Sequence, residues 1–442
     1  MWVAETDKLL DRMAGRFVRV ETRRRAEKFL LGLLADLPRK NCWSIAEHAG
    51  ESDPHGMQHF LARASWDTDG VRDDLRDYVI GALGDSDGVL VVDETGDLKK
   101  GTHTVGVQRQ YTGTAGRIEN AQVAVYLTYA AAHDHAMIDR ELYLPKSWTT
   151  DPDRLDEAGV PDGIEFATKP ALDTGMLTRA VAAGVPARWV TGDEVYGADP
   201  ALRAECEYHR IGYVLAIGCD RRIPTAAGLI RADELATDLP RHAWQRLSAG
   251  PGAKGERYYD WAWIDHPDPA HPDSETDPCD TRCWSLLIRR HRHTGELAFY
   301  RCYSPEPVPL RELVRVAGRR WRSGGILPGR QGPGRARRAP GPALDVLAPL
   351  DAARDARARA AGRARRHRAH RPARARRHDR VDLQRDSPPT HPADRQPRPR
   401  PGLPSALVTV ATQTPTPRPH QPLPAPRGVS ATEITIYGWS TR

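Results

Sequence analysis

The chain changes character after Arg322, and that break limits what it can fold into more than any other feature. Residues 324–442 contain 23 Arg, no Lys, 19 of the 37 prolines and no Phe, Cys or Met. A segment so poor in large apolar side chains cannot bury a core, and the reading from sequence is a disordered Arg/Pro/Ala-rich tail. Charge divides at the same place. The tail sets 23 basic against 8 acidic residues, or +15, whereas residues 1–323 set 42 Lys+Arg against 50 Asp+Glu, or −8. The overall +7 describes neither part. A basic balance ordinarily invites a nucleic-acid reading, but here net charge is no evidence for one.

The first 323 residues suit about two domains by length. No apolar run approaches a membrane span and the N-terminus lacks a signal-peptide pattern, so a soluble cytoplasmic protein without a membrane partner is expected. The six cysteines (Cys42, Cys206, Cys219, Cys279, Cys283, Cys302) form no paired framework. Cys279 and Cys283 make a CxxxC near His266, His271, His291 and His293, which raises zinc. With no second tight pair, reduced structural or surface cysteines are favoured.

Periodicity divides the remainder. Leu9, Leu10 and Met13, then Phe29, Leu30, Leu33 and Leu34, then Phe60, Leu61, Leu75, Val79 and Ile80 recur at helical steps. Residues 1–84 therefore read as helical, either a bundle packing on itself or a DNA-end-binding module. Residues 85–221 read as an α/β core. Gly88–Asp93 is a short apolar, β-branched run ending on a carboxylate, as a buried central strand does. Val105–Gln110 and Ala121–Tyr129 follow as the second and third strands. Then come a helix at 169–183, a strand at Arg188–Thr191, a helix at Asp199–Tyr208 and a fifth strand at Tyr213–Ile217. Three strands, helix, strand, helix, strand is the order of a ribonuclease-H-like core. Residues 222–305, dense in aromatics, read as a β-rich insertion, and 306–322 as the start of a final core helix.

Two acids stand out. Asp93 and Asp193 each follow a predicted strand, and a carboxylate at a buried strand end is costly unless paired or metal-bound. Adjacent strands would bring both over one divalent cation, Mg2+ or Mn2+, as nucleotidyl transfer requires. A single Asp after a strand is more often a helix cap, so neither acid is specific alone.

The runs Val92-Asp93-Glu94-Thr95-Gly96, Lys99-Lys100-Gly101, Val107-Gln108-Arg109-Gln110-Tyr111 and Thr191-Gly192-Asp193-Glu194-Val195-Tyr196-Gly197 resemble the transposases of IS701-like insertion sequences. These are DDE-superfamily enzymes of the IS4-type group. Arg140–Trp148 and Gly252-Ala253-Lys254-Gly255 resemble further blocks, and the likeness spans roughly residues 5–322. It implies that Asp93 and Asp193 are the first two catalytic acids. It further implies hydrolysis of DNA at element ends, then attack of the freed 3′-hydroxyl on target DNA by a nucleoid-associated homodimer. Lys99, Lys100, Arg109, Lys254, Arg257 and Arg320 are candidate DNA contacts, a solvated basic face being the alternative. Trp261 or Trp263 could stack on an extruded base, core packing being the default.

The resemblance places a third acid at position 324, after Arg320 and Trp321, where this chain has Gly324 followed by Gly325 and Pro328. A catalytic helix does not tolerate that run. Codons permitted for Ser323–Leu350, read one base out of phase, encode an amphipathic, family-like string with Glu at 324. The tail from 323 is then an out-of-frame translation of GC-rich DNA, and the expected activity is absent or impaired. Alternatives are a genuine basic arm that binds nucleic acid, a non-catalytic DNA-end-binding protein, and a metal-dependent nuclease without transposition.

Overall fold

A computed structural model describes residues 2–113, 115–252, 255–267 and 281–323. The expected tail, its shifted reading frame and position 324 lie outside the described residues. The chain opens with helices α1 (Trp2–Met13), α2 (Val20–Leu34), α3 (Cys42–His48), α4 (His55–Ala62) and α5 (Thr68–Leu83). Helices α2–α4 close a small core of their own, with Ile45 and Met57 fully buried among Phe60, Leu61, Phe29 and Trp66. Helix α5 behaves differently: Val79, Ile80 and Leu83 pack on the core of the central sheet. Arg16 is bidentate to Asp74 at 2.7 and 3.0 Å, so the helical segment is pinned to α5 by a charge-assisted fork.

The sheet begins with β1 (Gly88–Leu98), β2 (Gln108–Thr112), β3 (Arg117–Ala130) and β4 (His135–Tyr143). Short helices α6 (Lys146–Thr149) and α7 (Pro152–Ala158) lead to α8 (Lys169–Ala182), and then β5 (Ala187–Gly192), α9 (Glu194–Gly197), α10 (Pro200–Tyr208) and β6 (Gly212–Ile217) follow. Strand β1 is antiparallel to β3 and parallel to β5, and β5 is parallel to β6. With β4 on the far side of β3, the core order is β4-β3-β1-β5-β6, the ribonuclease-H-like arrangement. One detail of the sequence reading is corrected. Ala121–Tyr129 lies in the second core strand, not the third, and the third is His135–Tyr143. The Val105–Gln110 run supplies only β2, an edge strand on the N-terminal end of β3.

The β-rich region comprises the hairpin β7 (Arg222–Thr225) and β8 (Gly228–Arg231), α11 (Ala232–Thr237), β9 (Gln245–Gly252), β10 (Gly255–His266), β11 (Cys283–Arg290) and β12 (Leu297–Ser304). It continues the central sheet. Strand β12 pairs antiparallel with β6, and β11, β10 and β9 follow outward, giving a ten-stranded sheet among the described residues. Trp261 is fully buried and its ring packs against Tyr259 and Tyr300. Trp263 is partly buried against the same cluster. Trp261 is therefore a core residue, as the default reading of the sequence has it, and the base-stacking alternative does not hold for it.

Side-chain alternation along β1 assigns its two faces. Leu90 and Val92 point to the face covered by α5, α8 and α10, while Val89 and Val91 point to the opposite face. That second face is covered by α12 (Leu310–Ser323), through Leu310, Leu313, Val314 and Ala317. Gly318 lets α12 lie close, since a Cβ there would run into the Ala249 carbonyl of β9.

Candidate metal centre

Asp93 lies within β1, 5% exposed, opposite Tyr126 of β3. Asp193 directly follows β5 and caps α9, its Oδ1 accepting from the Val195 N–H at 2.9 Å. The parallel register sets Val91 against Thr191, so the two acids come two residues later on neighbouring strands. Gly192 makes this approach possible. A Cβ there would stand 2.6 Å from Val92 Cγ1, so any larger residue would push β5 away from β1.

Sequence reasoning singled out these two acids and missed a third participant. Glu94 lies with Asp93 and Asp193 such that one ligand atom from each falls within 4.8 Å of the others. Its Oε1 accepts from Lys169 Nζ at 2.9 Å and its Oε2 from the Tyr196 hydroxyl at 2.7 Å. Tyr196 is fully buried, and burial and then Glu94 hold its hydroxyl well above the usual phenol range, so it stays a donor. The signal was present in the quoted blocks, since Glu94 directly follows Asp93 and Tyr196 comes three residues after Asp193. What joins them is a contact across 102 positions of sequence.

From the other face, Arg320 of α12 brings Nη2 to 3.5 Å from Asp193 Oδ2. The remaining sequence-derived cations are not gathered there. Lys99 stands six residues beyond Asp93, about 20 Å along an extended strand, with its ammonium on Asp97 at 2.7 Å. Lys100 and Arg109 are exposed beyond it, in the loop after β1 and on β2. Arg257 of β10 donates to the carbonyls of Gly250, Ala249 and Gly318, bracing β9 against α12. Its guanidinium is thus engaged in packing. Lys254 lies outside the described residues.

Among the described residues, Asp93, Glu94 and Asp193 are the group of His, Cys, Asp or Glu side chains close enough to share an ion. An all-carboxylate oxygen donor set suits a hard divalent cation and not zinc. In the region considered for zinc, Cys279 and His271 lie outside the described residues. There, the Cys283 thiol donates to the Thr281 carbonyl, and His266 Nδ1 lies 2.8 Å from the Pro267 carbonyl oxygen.

Comparison with known proteins agrees with this geometry. The chain is 31% identical over 173 residues to the "Probable transposase for insertion sequence element IS701" of Microchaete diplosiphon. That stretch is 39% of this chain and covers 43% of the length of that relative. Residues 12–244, more than half of the chain, match the family model described as DDE superfamily endonuclease and include both Asp93 and Asp193. With its acids on adjacent parallel strands of a ribonuclease-H-like sheet, Asp93 within β1 and Asp193 just after β5, the chain belongs to the DDE superfamily endonuclease family.

Proposed function

We propose that the chain derives from an insertion-sequence transposase that cleaves DNA at element ends and joins the freed ends to target DNA, and that this polypeptide is inactive or impaired. The observation that carries the reading is the placement of Asp93 within β1 and Asp193 just past the end of the adjacent parallel β5, within reach of one cation. Mg2+ or Mn2+ held there would supply Lewis-acid activation of a phosphodiester and of the attacking oxygen. The chain's own part is to fix that position. Asp93 and Asp193 hold the cation, and Arg320 stands where a phosphate oxygen could meet it. Lys100 and Arg109, exposed beyond β1, are suited to the DNA backbone at a distance from the scissile bond. The proposed working state is a homodimer on paired DNA ends, associated with the nucleoid.

Impairment follows from position 324. The family resemblance puts the third acid at position 324, and here that residue is Gly324. With two acids where three are expected, both cation affinity and stabilisation of transition-state charge fall. The test is strand cleavage of duplex DNA carrying the sequences that flank the gene, with Mg2+ or Mn2+. The chain is expected to leave it intact and a frame-restored version to cut it. Robust cutting by the unaltered chain, lost on Asp93→Ala, would overturn the impairment.

A further inference from the structure

We propose that Glu94 is a positioning residue and not a metal ligand: through Tyr196 it ties the strand carrying Asp93 to the turn carrying Asp193, and so fixes the gap between the two acids. The inference rests on the metal-centre reading given under Proposed function.

Strand alternation is the first reason. Asp93 continues the series Val89, Val91 and faces the α12 side, from which Arg320 approaches Asp193. Glu94 continues the series Leu90, Val92 and faces the α8 side. There it meets Lys169, the first residue of α8, and Tyr196, the third residue of α9. Both carboxylate oxygens are occupied, Oε1 at 2.9 Å and Oε2 at 2.7 Å. A metal at Glu94 would have to share these oxygens with a lysine and a buried phenol, using the second lone pair of each.

The partners are built to stay in place. The Tyr196 ring is fully buried in the core of that face, among Met176, Leu177, Leu202 and Leu215. The next residue, Gly197, presses on β6, because a Cβ there would run into the Ala216 carbonyl oxygen. Tyr196 is therefore a fixed post, and Asp193 lies one short turn before it. Lys169 stands at a helix N-terminus, where the macrodipole disfavours a cation, so its placement is offset by the pairing with Glu94. That pairing also cancels the third negative charge. The carboxylate group then presents Asp93 and Asp193 to a divalent cation without added repulsion from Glu94.

Mn2+ binding to the full chain, followed by the loss of the free-ion paramagnetic resonance signal on titration, separates the possibilities. Asp93→Ala tests the metal-centre reading itself and is expected to remove saturable binding. Tyr196→Phe keeps the ring and loses the hydroxyl. It is expected to weaken Mn2+ binding about tenfold, the lower end for a residue that orients a ligand from behind. Glu94→Gln keeps an oxygen that can accept from Tyr196 and is expected to stay within about threefold of the unaltered chain, while Glu94→Ala falls about as far as Tyr196→Phe.

If Glu94→Gln loses as much as Glu94→Ala while Tyr196→Phe binds normally, Glu94 is a ligand and the proposal is overturned. Unchanged binding in Tyr196→Phe overturns it equally. Should Tyr196→Phe not fold, the two Glu94 variants decide between the same outcomes. Absence of Mn2+ uptake both by the chain and by its frame-restored version overturns the metal-centre reading, and the positioning role falls with it.

Discussion

Arg320 Nη2 stands 3.5 Å from Asp193 Oδ2, so the last described helix already touches the acid that ends β5. The contact is long-range in sequence, since α12 arrives only after the sheet has been extended by four further strands. It also has a definite sign. A guanidinium beside a carboxylate competes with a metal ion for it, because two cations sharing one anion repel.

Arg320→Ala is accordingly expected to tighten Mn2+ binding a few-fold, corresponding to the roughly 0.2–1 kcal/mol of a partly exposed ion pair. The same change should weaken binding of duplex DNA, because a phosphate contact is lost. Mn2+ titration and fluorescence anisotropy with a labelled duplex check the two arms. Weaker Mn2+ binding in the variant would mean that Arg320 orients Asp193 and does not compete for it.

Gly192 sets how closely β5 approaches β1. In Gly192→Ala the new methyl would meet Val92 Cγ1 at 2.6 Å and Tyr196 Cβ at 3.2 Å. The expected cost is about 1–3 kcal/mol in urea unfolding, as for overpacked cores, with weaker Mn2+ binding because the acids are forced apart. Normal stability with normal Mn2+ binding would show that the strands accommodate the methyl without moving.

Asp173 on α8 is fully buried, and among the described residues neither carboxylate oxygen has a hydrogen-bond partner. Burial first, then Asp139 and Asp199, raise its pKa well above the usual carboxylate range. A raised value in the fold favours the protonated form. Asp173 therefore costs nothing below its unfolded value and destabilises the fold as pH rises above it. Asp173→Asn is expected to stabilise the chain at pH 8 by on the order of 1–3 kcal/mol, with the gain vanishing near pH 4. Denaturant melts across that range measure it. An equal difference at every pH would contradict the assignment.

Trp261 is a core residue in this fold, fully buried between Tyr259 and Tyr300. Trp261→Ala should cost about 3–5 kcal/mol of stability, while the folded fraction binds duplex DNA as before. A stable variant with weakened DNA binding would restore the base-stacking role.

The parts of this fold visible in sequence are those whose pattern is local. The apolar run ending at Asp93, the Thr191-Gly192-Asp193 turn and the apolar stripe of α12 are each written in consecutive or helically spaced residues. Strand β4 was missed because His135–Tyr143 carries Asp139, Arg140 and Glu141 where an alternating strand would show apolar residues. Those acids are satisfied by Arg179 of α8, at 3.0 Å to Asp139 and 2.6 Å to Glu141, a partner that no local pattern announces. The continuity of the β-rich region with the core rests on β12 pairing with β6, across an intervening stretch of more than seventy residues. Glu94 was quoted beside Asp93 yet not singled out, since what fixes it, Lys169 and Tyr196, is distant in sequence and near only in the fold.

The most direct measurement is strand cleavage by two purified proteins, the chain as it stands and a version with the reading frame restored after Arg322, on duplex DNA carrying the sequences that flank the gene. With Mg2+ or Mn2+ present, the restored protein should cut and lose cutting on Asp93→Ala or Asp193→Ala, and the unaltered chain should leave the DNA intact. Equal cutting by both proteins, abolished in each by Asp93→Ala, would contradict the account, because the acid expected at position 324 would then be dispensable.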